Sequence, residues 1–303
     1  MSSHSYIKND KNADIFINID GKLLHRSEAK ISVFDSGFLL GDGVWEGIRL
    51  HKNKLLFIDD HLNRLFESAK GISLNISLSK EEIINEILKV LAKNDMADNV
   101  HIRLIISRGE KITPYQNPNA NVGPMTFVII PEFKKTDPKI YEDGISIGRV
   151  STIRPSHDIL STHFNTLSKL NCILGSIEAN NCGYDEGIMN DPHGNISTCN
   201  STNLFFIKDN SVLTSKGEYC LNGITRSKAI YLCHKNGINC HQKDFTFDEI
   251  IDCDEAFVTG TFAGIIPVSS IENRSLSSIN SNSMTNHLRK LYKELIQKNI
   301  IKS

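Results

Sequence analysis

Three stretches of this sequence carry residues whose types and spacing suit the capture of an oxyanion such as a phosphate. Arg49 ends a glycine-rich run, Gly41-Asp42-Gly43-Val44-Trp45-Glu46-Gly47-Ile48-Arg49. A guanidinium fork held on a strand matches phosphate oxygens with paired hydrogen bonds. Asn222-Gly223-Ile224-Thr225-Arg226 opens a helix, where unpaired backbone N–H groups and the helix dipole favour an anion and glycine permits close approach. Val258-Thr259-Gly260-Thr261 ends a strand with hydroxyls around a glycine. Each stretch also has a plainer reading: a surface arginine beside a tight turn, a helix cap, and an ordinary turn. Gly41 and Gly43 do not make a dinucleotide fingerprint, because the spacing to Gly47 is wrong and no extended βαβ unit follows. His157 and His163 show no ligand spacing, so no metal site is expected.

These stretches need elements to hold them. Asp14 to Ile19 reads as a strand, Asp20-Gly21 as a hairpin turn, and Lys22 to Leu24 as its return. Ile48–His51 and Leu55–Ile58 flank Lys52-Asn53-Lys54 as a second hairpin. Leu62, Leu65, Phe66 and Ala69 recur at helical spacing over Asp60–Ala69, and Ser79-Lys80-Glu81-Glu82 is a capping box opening a helix. His101–Ser107 and Thr126–Ile130 read as strands. Beyond a charged, Pro138-containing stretch, strands are expected at 145–152, 187–189, 204–208, 212–214 and 256–259. Leu170, Ile173, Leu174 and Ile177 form one face of a helix ending at Cys182-Gly183, a second helix runs over about 225–235, and a last one over about 284–297.

Composition narrows the class. The 303 residues suffice for about two domains, and a formal net charge of −1 with scattered basic residues gives no electrostatic footprint for nucleic acid or an anionic membrane. The polar start lacks a signal-type apolar core and no run is long enough to span a bilayer, so a soluble cytoplasmic protein is expected. Seven cysteines without a CxxC pair read as reduced, mostly buried thiols.

Taken in order, the three stretches and a fourth resemble the class IV aminotransferases, the fold type IV enzymes that use pyridoxal 5'-phosphate (PLP). The fourth is Asn165-Thr166-Leu167-Ser168-Lys169-Leu170-Asn171, continuing into Gly187-Ile188-Met189 and Ile196-Ser197-Thr198-Cys199-Asn200. The resemblance implies an α/β fold with a small N-terminal domain (1–134), a linker (135–143) and a larger barrel-like PLP-binding domain (144–303), assembled as a homodimer. It implies that Arg49, Gly223, Ile224, Thr225, Gly260 and Thr261 hold the cofactor phosphate. Arg103 resembles an arginine that contacts the substrate carboxylate in branched-chain members, and Ser107-Arg108-Gly109, a second candidate substrate contact, is similar to the D-amino-acid-type subgroup; both arginines also read as strand-end surface charges.

Two positions depart from the family pattern. Where the family has its Schiff-base lysine stands Asn165, and where it has a glutamate on the pyridine nitrogen stands Thr198, which offers only a neutral hydrogen bond. A lysine follows four residues after Asn165, at Lys169, in the first turn of the expected helix. The resemblance places that position beside the cofactor, so Lys169 is the candidate replacement amine; its other reading is a solvated surface lysine. The implied activity is amino-group transfer between an amino acid and a 2-oxo acid. The alternatives are a lyase of the aminodeoxychorismate-lyase kind and a PLP-binding protein without turnover.

Overall fold

A computed structural model describes residues 3–156, 158–159 and 161–301, which leaves His157 outside the described residues. The chain divides into two compact units. The first takes Ile7–Lys135 and Phe164–Lys169; the second takes Met1–Tyr6, Thr136–His163 and Leu170–Ser303.

The first unit is built on six antiparallel strands: β1 Phe16–Ile19, β2 Lys22–His25, β3 Gly43–His51, β4 Lys54–Leu55, β5 Val100–Ser107 and β6 Thr126–Phe133. Their order across the sheet is β2-β1-β6-β5-β3-β4. Asp20 and Gly21 both have positive φ (50° and 82°), which suits a two-residue hairpin whose twist matches its strands. Lys52 and Asn53 do the same for β3 and β4 (47° and 61°), so Lys54 belongs to the returning strand rather than to the turn expected over 52–54. The glycine-rich run before Arg49 is not one long turn. Asp35 caps a short helix, α1 Ser36–Leu40, by accepting from the N–H of Gly37 and Phe38, and Gly41 closes it in the left-handed region.

One face of this sheet makes the core. Val44, Ile48 and Leu50 of β3 and Ile102 and Leu104 of β5 are buried with Leu62, Leu65 and Ala69 of α2 (Ile58–Gly71) and Ile83, Ile87 and Leu91 of α3 (Lys80–Lys93). The Ser79–Glu82 capping box starts α3 as the sequence leads one to expect.

The second unit carries a nine-stranded mixed sheet: β7 Ile145–Arg149, β8 Glu186–Asn190, β9 Ile196–Cys199, β10 Asn203–Lys208, β11 Ser211–Thr214, β12 Cys240–Gln242, β13 Glu255–Gly260, β14 Gly264–Ile271 and β15 Arg274–Ser275. Strand order is β9-β8-β7-β14-β13-β10-β11-β12, with β15 paired to β14. Strands β9 and β14 escape a reading by periodicity because their residues are almost all buried, which removes the inward–outward alternation. The helices include α4 Lys139–Glu142, α5 Leu170–Asn181, α6 Ile224–Lys235, α7 Phe247–Ile250 and α8 Met284–Ile301, the last running past the expected end at 297.

Helix α5 shows the apolar face expected of it, but turned outward. Leu170, Ile173, Leu174 and Ile177 are each about half exposed or more, whereas the small residues Gly175 and Ala179 are buried. A side chain on Gly175 would press against Met189 of β8, so α5 sits on the sheet by its small residues and leaves its large ones uncovered.

Candidate functional site

In the second unit the start of α6 is the most distinctive feature. Gly223 is the N-cap residue, and no side chain caps the helix. The first intrahelical bond runs from Ser227 N–H to Gly223 C=O at 2.9 Å, so the N–H groups of 224–226 precede any acceptor in the helix. Ile224, Thr225 and Arg226 are nonetheless buried. A buried, uncapped helix start has the donors and the dipole for an anion.

Asn203 ties this helix start to the end of β13. Its Nδ2 donates to the Leu221 carbonyl at 2.9 Å, and a Cβ on Gly223 would stand 2.2 Å from its Oδ1, which is why only glycine fits there. Asn203 lies opposite Thr259 in the β10–β13 register, and cross-strand partners share a face of the sheet. The Thr259 hydroxyl is buried with no hydrogen-bond partner. Gly260 and Thr261 follow directly. Gly223, Ile224 and Thr225, and Gly260 and Thr261, thus stand on two elements that Asn203 joins, a residue the sequence reading did not single out; Thr259 it read only within its stretch. The signal for Thr259 was its place in an apolar strand, where a hydroxyl without a partner is costly. The donor set, backbone N–H groups and an unpaired hydroxyl, fits a phosphate ester.

Thr198 lies on β9, buried, and donates its hydroxyl hydrogen to the Thr202 carbonyl at 2.7 Å. That hydrogen is committed, so the oxygen's lone pairs remain to accept. The same loop is held by Glu186 of β8, whose carboxyl accepts from the hydroxyls of Ser201 (2.9 Å) and Thr202 (2.6 Å). Burial pushes the Glu186 carboxyl above its ordinary pKa, with the hydroxyl hydrogen bonds offsetting only part of that.

The first unit holds Asn165, Lys169, Arg49, Arg103 and Arg108. Lys169 immediately precedes α5 rather than standing in its first turn. Asn165 is buried; it accepts at its carbonyl from Trp45 N–H (3.0 Å), donates from Nδ2 to the Trp45 carbonyl (2.7 Å), and leaves Oδ1 buried without a partner. The Trp45 indole donates to the Thr166 carbonyl at 3.1 Å. Lys169 Nζ lies 5.6 Å from the centre of that same indole, and the Arg103 guanidinium carbon lies 3.7 Å from it. Trp45, a residue the sequence offered only as part of a motif, is therefore where Asn165, Lys169 and Arg103 converge.

Register explains part of this. Trp45, Gly47 and Arg49 of β3 stand opposite Ile105, Arg103 and His101 of β5, so Arg49 and Arg103 share the sheet face turned away from the apolar core. Burial lowers the pKa of Arg103, opposed by the charges of Glu132 and Glu46. Arg108 is differently placed. Its Nε and Nη2 donate to Asp42 at 2.7 and 2.9 Å, and its Nη1 and Nη2 donate to the Ser73 and Ile72 carbonyls, both at 2.8 Å. Four of its five N–H donors are thus engaged within the unit.

On the core face, a charged cluster went unread in the sequence. Glu46, fully buried, accepts from Arg64 Nε and Nη2, each at 2.7 Å, and its Oε2 lies 2.7 Å from His61 Nδ1. Burial alone would raise the Glu46 carboxyl, but the Arg64 charge with hydrogen bonds from His61 and Arg64 holds it below the ordinary range. Among the described residues no group of three or more His, Cys, Asp or Glu side chains could hold a metal ion, and no helix is long and apolar enough to cross a membrane.

Residues 43–271 match the family model described as amino-transferase class IV. The branched-chain-amino-acid aminotransferase-like protein 2 of Arabidopsis thaliana is 36% identical over 287 residues, covering 94% of this chain and 51% of that protein, so the chain spans about half its length. The D-alanine aminotransferase of Bacillus licheniformis is 30% identical over 260 residues, covering 86% of this chain and 89% of that one. A T.th. branched-chain amino acid aminotransferase solved with pyridoxamine 5'-phosphate is 26% identical with a TM-score of 0.85, covering 93% of each chain. The fold is therefore the mixed α/β arrangement expected from the sequence.

Proposed function

Because the chain belongs to the class IV aminotransferases, we propose that it transfers an amino group between an amino acid and a 2-oxo acid with PLP as its cofactor. The observation that carries this reading is the buried, uncapped start of α6 beside the unpartnered Thr259 hydroxyl. Bound PLP would supply a carbonyl for the amino group and an electron-withdrawing ring. The N–H groups of Ile224 and Thr225, with Gly223, Gly260 and Thr261, would hold its phosphate. Thr198 would offer the ring nitrogen a lone pair without fixing a negative charge there.

Lys169 is the amine of this scheme. Asn165 has none, and its side chain is bonded to the Trp45 backbone; Lys169 comes to the same residue from the other end of the segment. Arg103, stacked on Trp45, takes the substrate carboxylate ahead of Arg108, whose donors are mostly spent. The test is borohydride reduction of the protein incubated with PLP, followed by peptide mapping. PLP fixed on Lys169 is expected, with loss of labelling in Lys169→Ala and retention in Asn165→Ala. Attachment to another lysine, or none, sinks the displaced-lysine reading.

Asn165 and Thr198 together favour a second reading, a protein that holds PLP without turnover. Saturable PLP binding with no amino-group exchange across a panel of D- and L-amino acids would establish it in place of the first. A homodimer is part of the proposal, and the uncovered Leu170, Ile173, Leu174 and Ile177 of α5 are its support, since an apolar stripe of this kind favours a protein partner. Light scattering of wild type and Ile173→Glu checks it: the variant should shift towards monomer, and an unchanged mass would remove α5 from the interface.

A further inference from the structure

Helix α6 and strand β12 are joined by a tight turn in which Asn236 and Ile238 both donate their N–H to the Cys233 carbonyl, at 3.2 and 2.9 Å. Two contacts then link the returning strand to the helix. Arg226 Nη2 donates to Gln242 Oε1 at 3.1 Å, and the Cys233 and Cys240 thiols lie close enough for each to shift the other's titration. These are successive rungs of one ladder. Arg226 and Cys233 stand seven residues apart on a helix, which returns them to one face. Gln242 and Cys240 stand two apart on a strand, which also puts them on one face, with His241 on the other.

The two cysteines differ in a way that suits sequential chemistry. Cys233 is buried and Cys240 is half-buried. The neighbouring Cys233 thiol and then the Arg226 charge lower the pKa of Cys240, whereas the Cys240 thiol and burial raise that of Cys233. The reachable thiol is thus the better nucleophile.

We propose that Cys233 and Cys240 are a dithiol that closes to a disulfide, a modification site on the helix whose other end forms the candidate phosphate cradle. The co-reactant is a low-molecular-weight disulfide. The Cys240 thiolate attacks one of its sulfurs, forming a mixed disulfide and releasing one small thiolate, which takes up a proton. Cys233 then gives up its proton and attacks the Cys240 sulfur, releasing the second small thiol. Two protein thiols are oxidised and one small disulfide is reduced to two thiols.

The experiment equilibrates the full chain with oxidised and reduced glutathione at varied ratios, blocks remaining thiols in acid, and maps tryptic peptides. Cleavage after Lys228, Lys235 and Lys243 puts Cys233 and Cys240 on separate peptides, so they travel together only when bonded. The linked peptide should accumulate as the oxidised fraction rises and vanish on reduction. Cys233→Ser should stop at a glutathione adduct on Cys240, and Cys240→Ser should leave Cys233 unmodified. Exposed Cys182 reports that the reagent is active. Reaction at Cys182 with no linked peptide at any ratio overturns the proposal, as does a stable adduct on Cys240 in the wild-type chain.

Discussion

Glu46 in the first unit and Glu186 in the second are both essentially inaccessible carboxyls, yet their surroundings push them in opposite directions. Glu46 is gripped by the Arg64 guanidinium and lies against His61, so it stays charged. Glu186 meets hydroxyls of Ser201 and Thr202 and favours its neutral form. The difference extends to the rest of each candidate site. In the first unit cations gather: Arg103 and Lys169 on one indole, Arg49 on the same sheet face as Arg103. In the second, the α6 start and Thr259 offer a helix dipole, N–H groups and an unpartnered hydroxyl. A neutral Glu186 puts no fixed negative charge beside the β9–β10 loop that it holds.

The sharpest way to break this contrast is Arg64→Leu. Removing one member of a buried pair strands the other charge, at a cost of about 3–5 kcal/mol, and this should be the largest single effect. The wild-type Glu46 carboxyl lies below its ordinary pKa of 4.5, so its contribution is present above that value and lost as pH falls through the folded pKa. In the variant the carboxylate is a liability, and protonating it should bring relief. Denaturant midpoints should show a deficit that narrows as pH is lowered towards about 4. A deficit below about 1 kcal/mol would mean the pair is screened far more than its burial implies.

The Glu46 cluster also shows what sequence reading reaches. Local patterns were legible: the Ser79 capping box, the Asp20-Gly21 hairpin and the apolar periods of α2 and α3 all involve residues a few positions apart. The places of Gly223 and Gly260 at element ends were legible too. Contacts between distant segments were not. Trp45 and Thr166 meet across 121 residues, so nothing in the local pattern of Lys169 says that it faces an aromatic ring shared with Arg103. Burial on both faces hid β9 and β14. The apolar face of α5 was visible, but periodicity says only that a face exists, not whether core or solvent lies against it.

Glu186→Gln sharpens the other half of the comparison. Burial raises the Glu186 carboxyl from 4.5 in the folded chain, so over that range the native state holds a proton that the unfolded state has released. Stability then falls as pH rises from about 4.5 through the folded pKa and is full below it. Glutamine keeps the shape and cannot ionise. Its midpoint curve should run above or level with wild type at about pH 8 and show a shallower decline from about pH 5. Parallel curves would place the wild-type decline on some other group.

Thr259→Val is the smallest change and the most discriminating. A buried hydroxyl with no partner carries a desolvation cost of about 1–3 kcal/mol, part of which valine of the same shape removes. The apoprotein should therefore be unchanged or stabilised by up to about 1 kcal/mol. If the hydroxyl is left unpaired to receive a phosphate oxygen, the same substitution should weaken PLP binding about 5–10-fold, the worth of one hydrogen bond. The two readouts move in opposite directions, which loss of folding would not produce. Stability gained with unaltered PLP affinity would take Thr259 out of the cradle and leave the α6 start to hold the phosphate alone.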